Sequence, residues 1–114
     1  MRAGTFDILV SKMSPNQRIA LNQLENEHSE LIFKGGSLTT KPLRVKINKG
    51  KKGIAAVNTR GKDMFLKLEF RKRDYVSEDT VTTKHRNFDN AYCIGTENQV
   101  NRASEIIGIL KEKY

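Results

Sequence analysis

Apolar and polar residues alternate in two segments near the middle of the chain, and this alternation restricts the possible folds more than any other feature. In residues 43–48 every second side chain is apolar, and Arg44 and Lys46 stand between them. In residues 64–72 apolar side chains likewise alternate with Lys67 and other charged residues. Successive side chains of a strand point to opposite faces of a sheet. The two segments therefore predict strands with one apolar and one basic face.

Turns and further strands surround these two segments. Residues 49–53 read Lys-Gly-Lys-Lys-Gly, which is typical of a hairpin turn, and residues 54–58 are predicted to form the return strand. A second turn is predicted at residues 60–63. Two more strands are predicted at residues 5–10, where apolar residues alternate, and at residues 80–83.

Two amphipathic helices are predicted from capping signals and from helical spacing. The first begins at Ser14, which opens a capping box, and Pro15 suits the first helical position. Its apolar residues recur at helical spacing as far as the Gly35-Gly36 pair, which is expected to end it. The second helix begins at Thr96 with another capping box and carries a wide apolar stripe to the C-terminus.

These elements predict one α+β domain that spans residues 1–114. We expect two layers. One is a mainly antiparallel sheet of four or five strands. The other consists of two helices, one in the N-terminal half and one at the C-terminus, which pack on the same face of the sheet. A chain of 114 residues has the usual size of a single domain. The opposite face of the sheet, which carries the basic residues, is then left without a covering layer.

Positive charge is concentrated in the middle third of the chain. The formal net charge is +8. Residues 34–73 contain thirteen Lys and Arg against two Asp and Glu, a net charge of +11, whereas both flanking thirds are weakly negative. A surface that serves solubility alone is expected to mix both signs. The segregation of charge therefore favours a polyanionic partner.

We expect this partner to be nucleic acid, bound in a regulatory or accessory role, with DNA and RNA equally compatible. Neutralised phosphates release condensed counterions, and bound phosphates relieve the repulsion between like charges on neighbouring strands. Phe65 is predicted to stack on an unpaired base. The predicted binding residues are Arg44, Lys46, Lys49, Lys51, Lys52, Arg60, Lys62, Phe65, Lys67, Arg71 and Arg73.

Residues 49–54, Lys-Gly-Lys-Lys-Gly-Ile between alternating strands, resemble the KOW element of ribosomal proteins and transcription elongation factors. The resemblance covers residues 43–67, and the flanking helices are not part of the KOW pattern. It implies a Lys-Gly-x-x-Gly turn in a small barrel that contacts RNA or protein.

The sequence contains none of the usual catalytic or cofactor-binding motifs, such as glycine-rich phosphate loops, nucleophile elbows or zinc-protease signatures. One cysteine, Cys93, and two distant histidines do not form a metal-ligand pattern. We therefore predict binding without catalysis, cofactor or metal. A small nuclease is the less favoured alternative. It would use His85, beside Lys84, Arg86 and Asp89, to transfer protons, or Glu69 as a base or a metal ligand.

Two other kinds of partner are compatible with the same charge pattern. The protein could be an inhibitor or regulator that docks on an acidic protein surface, because complementary charge steers such contacts equally well. An exposed edge strand could also pair two copies of the chain in a homodimer. No apolar run is long enough to span a membrane, and the absence of a signal peptide favours the cytoplasm.

Overall fold

A computed structural model describes residues 1–60 and 65–114 of the chain. The strands form one sheet in the order β1-β2-β3-β4-β5-β7-β6, in which β1 and β2 run parallel and the other neighbours antiparallel. The elements in chain order are β1 (Arg2–Gly4), α1 (Phe6–Ser11), α2 (Pro15–Glu27), β2 (Ile32–Gly35), β3 (Arg44–Lys49), β4 (Lys52–Asn58), β5 (Leu66–Phe70), β6 (Thr80–Thr82), β7 (Asn90–Ile94) and α3 (Glu97–Glu112).

The fold is an α+β domain, with three helices and a mixed sheet of seven strands among the described residues. This confirms the predicted class. The predicted count of four or five strands was too low, because β1, β2 and β7 were not anticipated. The sheet is also less uniformly antiparallel than predicted, since β1 pairs with β2 in parallel.

The register of the strands separates an apolar face of the sheet from a polar one. Val45 pairs with Val57, and Val57 pairs with Leu68. All three are fully buried, and they belong to one core cluster that includes residues of all three helices. The helices therefore cover this face, where burial of apolar area contributes about 25 cal/mol per Å². The adjacent row, Lys46, Ala56 and Glu69, points to the opposite face.

Residues 6–11 form α1, so the strand predicted at residues 5–10 was wrong. Phe6 and Leu9, three positions apart, are buried in the core. Ile8, the centre of the expected alternation, is 53% exposed. The apolar residues of this segment fit a helical period as well as a strand period, and packing on α2 and β2 selects the helix.

The helix predicted from Ser14 to the glycine pair is shorter than expected. Its capping box at Ser14 is confirmed, but α2 ends at Glu27 and the following residues Ile32–Gly35 form β2. Gly35 does not terminate a helix. A Cβ atom at Gly35 would lie 2.5 Å from the amide nitrogen of Phe6, so glycine is required here by the close approach of α1 to the strand.

The C-terminal helix and the central hairpin form where they are predicted, but the predicted capping box at Thr96 is only half present, since the Gln99 side chain accepts from the Gly95 amide at 2.7 Å and not from that of Thr96. The Thr96 hydroxyl accepts a hydrogen bond from the Gln99 amide at 3.4 Å and caps α3. In the β3–β4 hairpin Lys49 lies opposite Lys52, and Gly50, with φ of 61°, supplies the left-handed residue of the turn. Within residues 1–60 and 65–114, no helix is both long and apolar enough to cross a bilayer.

Candidate nucleic-acid interface

The sheet face opposite the helices is partly covered by the connection between β6 and β7, here called the 83–89 loop. Thr83 closes this loop, because its amide donates to the Asp89 carbonyl and its hydroxyl to the Phe88 carbonyl, both at 2.8 Å. Phe88, Ala56 and Ala91 are buried but do not belong to the helix-side core cluster. Their burial marks a second, smaller apolar contact beneath the loop.

A cleft of about 400 Å³ lies between the 83–89 loop and strands β3, β4 and β5. Nine of the described residues line it: five are Lys or Arg, one is a carboxylate, and none of the nine is apolar. The volume lies within the range of sites for small ligands or parts of larger ones. The described side chains that line the cleft are therefore polar or charged, with an excess of positive charge.

The base of the cleft holds a neutral ion pair. Arg44 Nη2 donates to Glu69 Oε1 at 3.0 Å, and Asn58 Nδ2 donates to the same oxygen. The Glu69 side chain is only 6% exposed, and a buried carboxylate is stable only when it is paired in this way. The strand register creates the arrangement, since Arg44 pairs with Asn58 across β3 and β4. Glu69 thus fixes the guanidinium of Arg44 beneath the loop.

His85 of the 83–89 loop forms one wall of the cleft above this ion pair. Its ring stacks on Phe88, with 5.9 Å between centroids and 14° between planes. The amides of Asn87 and Phe88 both point to His85 Nδ1 at 3.1 Å. On the other side of the ring, His85 Nε2 lies 2.9 Å from Arg44 Nη1. The loop and the sheet therefore meet at the contact between His85 and Arg44.

Four cationic side chains surround the neutral base: Arg60, Lys67, Lys84 and Arg86. An ion pair requires a nitrogen–oxygen distance of 4.0 Å or less. Among the residues that the structure describes, no carboxylate comes this close to any of the four side chains. Like charges around one recess produce a positive potential that raises the local concentration of anions. We call these four residues the rim.

A second recess extends the positive surface beyond Arg86. It is lined by Arg71, Arg73 and Asp89 in addition to Arg86. The backbone amide of Lys72 donates to Asp89 at 2.7 Å, and this hydrogen bond lowers the pKa of the Asp89 carboxyl. The recess therefore holds one carboxylate and three guanidinium groups, and its net positive charge is smaller than that of the four rim cations.

The residues predicted from the sequence to bind nucleic acid are divided among several places. Three of them line the cleft: Arg44, Arg60 and Lys67. Three more lie next to it. Lys46 lines an adjoining depression together with Arg44, and Arg71 and Arg73 line the second recess. Lys62 lies outside the described residues. The residues in or next to β3 to β5 thus gather as expected, whereas the hairpin-turn lysines and Phe65 do not join them.

The hairpin-turn lysines, Lys49, Lys51 and Lys52, lie away from the cleft, at the C-terminal end of α3. Lys49 Nζ donates to the carbonyl of Lys111 at 2.7 Å, and Lys52 Nζ lies 5.7 Å from the centre of the Tyr114 ring. Cations at a helix C-terminus satisfy its free carbonyl groups and interact favourably with the helix dipole. Part of the charge in this turn therefore has a structural role.

Phe65 lies on the helix side of the sheet and not beside Lys67 on the cleft side. It precedes β5, is half-buried against the helix-side core, and lines a groove with Ala20 and Val100. The alternation that placed Phe65 with the basic residues does not extend beyond the first residue of the strand. Phe65 is therefore not positioned to stack on a base bound in the cleft.

Both residues of the nuclease alternative, Glu69 and His85, line the same cleft and are joined through Arg44. Glu69 Oε1 already accepts hydrogen bonds from Arg44 and Asn58, and His85 Nδ1 faces two loop amides. In the described parts of the chain, no group of three or more metal-binding side chains occurs. This geometry fixes the two residues in place.

Sequence reasoning missed the lining residues Asn58 and Thr83, and it considered Lys84 and Arg86 only as part of a nuclease. The run Lys84-His85-Arg86 was the available signal, because three consecutive basic or titratable residues in a connection indicate an exposed polar loop. Nothing in the sequence shows that this loop folds back over β3 to β5. That placement depends on the pairing of β7 between β5 and β6.

The fold and the cleft define a small basic α+β domain with a positively charged recess on the sheet face opposite its helices. The chain matches no protein-family model and has no significant match to a curated protein or a solved structure. The small barrel implied by the KOW resemblance is not observed, since the hairpin belongs to a seven-stranded mixed sheet backed by helices. The function must therefore be inferred from the cleft itself.

Proposed function

We propose that the protein binds nucleic acid through the cleft and its rim, and that it acts by binding and not by catalysis. The observation that carries this proposal is the charge arrangement: the buried carboxylate Glu69 is already neutralised by Arg44, whereas the four rim cations have no described carboxylate partner. Any phosphate that enters the cleft meets a positive potential, and the one carboxylate among the described lining residues is already paired. A cytoplasmic location, where nucleic acid is abundant, belongs to the same proposal.

Phosphate groups suit this cleft for two physical reasons. Each phosphate that pairs with Lys or Arg releases condensed counterions from the nucleic acid, which supplies sequence-independent affinity. Bound phosphates also relieve the repulsion among the rim cations in the free protein. The rim combines two Lys with two Arg, and the Arg residues can bind phosphate oxygens in a bidentate manner.

The lining of the cleft favours nucleic acid over an acidic protein partner. Protein–protein interfaces depend on buried aromatic or aliphatic anchors at their centre, and none of the nine described lining residues is apolar. Most protein–DNA hydrogen bonds, in contrast, go to phosphate and sugar from basic and small polar side chains. The acidic-protein alternative becomes the preferred one if nucleic acid fails to bind.

The first experiment measures binding of labelled single-stranded and double-stranded DNA and RNA at several salt concentrations. We expect affinity to fall steeply with salt, with a log–log slope that corresponds to several phosphate contacts. The double variant Lys67→Glu/Lys84→Glu should weaken binding roughly tenfold or more, and the slope should become shallower by roughly 1.4–1.8, because two contacts are lost.

The matched control is Lys51→Glu/Lys52→Glu in the hairpin turn, which changes the net charge equally but lies at the end of α3. It should reduce affinity much less than the cleft variant. Equal losses in both variants would show that binding depends on net charge and not on the cleft. Absence of binding at low salt would overturn the proposal, and strand cleavage that requires His85 would replace it with the nuclease alternative.

A further inference from the structure

More N–H groups point at the His85 ring than the ring can accept. Two come from the loop itself, the amides of Asn87 and Phe88, each 3.1 Å from Nδ1. A third comes from the sheet, since Arg44 Nη1 lies 2.9 Å from Nε2. A neutral imidazole has one acceptor nitrogen, because the other nitrogen carries the ring proton. One ring nitrogen of His85 must therefore carry a proton that points toward another N–H group.

The loop amides decide which nitrogen is the acceptor. The amides of Asn87 and Phe88 are fixed by the backbone, and both would be left without an acceptor if Nδ1 carried the proton. The partner of Nε2 is the side chain of Arg44, which is 34% exposed and is able to shift. The tautomer of a histidine is set by the hydrogen bonds of its other nitrogen, so the proton resides on Nε2. The Nε2–H group then points toward Arg44.

Arg44 cannot relieve this contact by turning away completely. Its Nη2 is held by the buried carboxylate of Glu69 at 3.0 Å. Its Nε atom is buried and has no hydrogen-bond partner among the described residues. The base of the cleft therefore presents two N–H donors, on His85 Nε2 and Arg44 Nη1, which lack an acceptor between them. Unpaired polar groups of this kind destabilise the free protein.

We infer that Arg44 and His85 form a subsite for one phosphate oxygen at the base of the cleft. A single anionic oxygen that enters from the cleft accepts from both donors after a small separation of the two side chains. Phosphate oxygens are strong acceptors for such charge-assisted bonds. This inference rests on the proposed function and deepens it: the rim attracts the polyanion, and the Arg44–His85 subsite fixes the position of one phosphate.

The phosphate has two possible sources in a nucleic acid, an internal phosphodiester or a terminal phosphate monoester. The oxygen chemistry is the same, so the source is decided by comparing one short oligonucleotide with a 5′-hydroxyl and with a 5′-phosphate. Tighter binding of the phosphorylated form assigns the subsite to a terminal phosphate. Equal binding assigns it to an internal phosphodiester, provided that the His85 variants below change affinity.

Two substitutions at His85 separate its two nitrogens. In His85→Asn the amide oxygen is expected to replace Nδ1 as acceptor for the loop amides, but the Nε2–H donor is lost. In His85→Gln the longer side chain places an amide N–H near the position of Nε2. We expect His85→Asn to weaken oligonucleotide binding roughly tenfold, the effect of one hydrogen bond to a charged group. His85→Gln should weaken it less.

The salt dependence distinguishes this subsite from the rim. A neutral side chain releases no counterion, so His85→Asn should leave the log–log salt slope of the protein unchanged, whereas Lys67→Glu/Lys84→Glu should lower it. If His85→Asn binds like the parent while the rim variant loses affinity, the subsite is disproved and the proposed function stands. If the parent protein does not bind nucleic acid at any salt concentration, both fail together.

The tautomer offers a test that does not depend on the variants. Nitrogen-15 NMR of the free protein should show the His85 proton on Nε2, and titration with the oligonucleotide should shift the Nε2 resonance and the side-chain resonances of Arg44. A proton on Nδ1 would overturn the inference, because Nε2 would then accept directly from Arg44 and no unpaired donor would remain. An Nε2 resonance that does not respond to a bound oligonucleotide would overturn it as well.

Discussion

The two faces of the sheet are stabilised in opposite ways. On the helix side, three helices bury a continuous apolar cluster in which Val45, Leu68 and Leu110 are fully inaccessible to solvent. On the cleft side, the 83–89 loop provides a small apolar contact through Phe88, Ala56 and Ala91, and the described residues of the cleft itself are polar or charged. The first face provides most of the free energy of folding. The second keeps charged groups close together at a cost in stability, which is typical of binding sites.

The two histidines illustrate this difference between the faces. His28, at the contact between α2 and α3, is 6% exposed, and its Nε2 lies 3.0 Å from the Ser104 carbonyl, while its Nδ1 lies 3.3 Å from Lys111 Nζ. Nε2 of His28 thus faces an acceptor, and Nδ1 faces a donor. His85 faces three donors with one acceptor. A fully paired histidine serves packing, and one with excess donors is suited to an added anion.

The largest expected effect tests the claim that the helix side carries the stability. Leu110→Ala in α3 removes a fully buried side chain from the core and should lower the free energy of unfolding by about 2–5 kcal/mol, from lost burial and the cavity that remains. Urea unfolding measures this change. Oligonucleotide affinity, determined where the variant is still folded, should stay near that of the parent. A parallel loss of affinity would show that the two faces are not independent.

A smaller effect is expected from the ion pair on the cleft side. Glu69→Gln leaves Arg44 and Asn58 facing a neutral amide, and it should lower the free energy of unfolding by about 1–3 kcal/mol, as for a hydrogen bond to a charged group. The control is Glu105→Gln, which breaks the exposed pair with Arg102 at 3.2 Å and should change stability by less than about 1 kcal/mol. Equal effects in urea unfolding would mean that the buried pair has no special role.

The sequence alone predicted correctly those elements that are specified by one strong local pattern. The alternation of residues 43–48 predicted β3 and the position of Arg44 on the polar face, and the capping signal at Thr96 predicted the start of α3. In both cases the local pattern and the tertiary packing select the same structure. The alternation in each segment predicted that Arg44 and Lys67 lie on one face of the sheet. The structure brings them together because β3 and β5 both pair with β4.

The remaining features depend on contacts between segments that are distant in the sequence. The edge strand β1 is three residues long and carries no apolar alternation, and β7 has residues buried on both faces, so neither produces a period-two pattern. The 83–89 loop reaches the sheet only because β7 lies between β5 and β6. The charge count likewise grouped Lys49 with the strand residues, although Lys49 interacts with the end of α3.

The smallest expected effect concerns the pH dependence of His28 and sharpens the contrast between the two histidines. Burial, and next the charge of Lys111, lower the pKa of His28 below its ordinary value of 6.5. The folded protein then binds fewer protons than the unfolded chain between the lowered pKa and 6.5. Stability from neutral His28 is therefore fully present above pH 6.5 and is lost as the pH falls toward the lowered value.

The variant His28→Gln isolates this effect, because its amide N–H can still donate to the Ser104 carbonyl but does not titrate. The free energy of unfolding of the parent should fall more steeply than that of His28→Gln between pH 7 and pH 5. Carboxyl groups with lowered pKa values, such as Glu30 and Asp79, lose their contributions only at lower pH. A difference between parent and variant that stays constant across this range would show that His28 is not held neutral by the packing of α2 on α3.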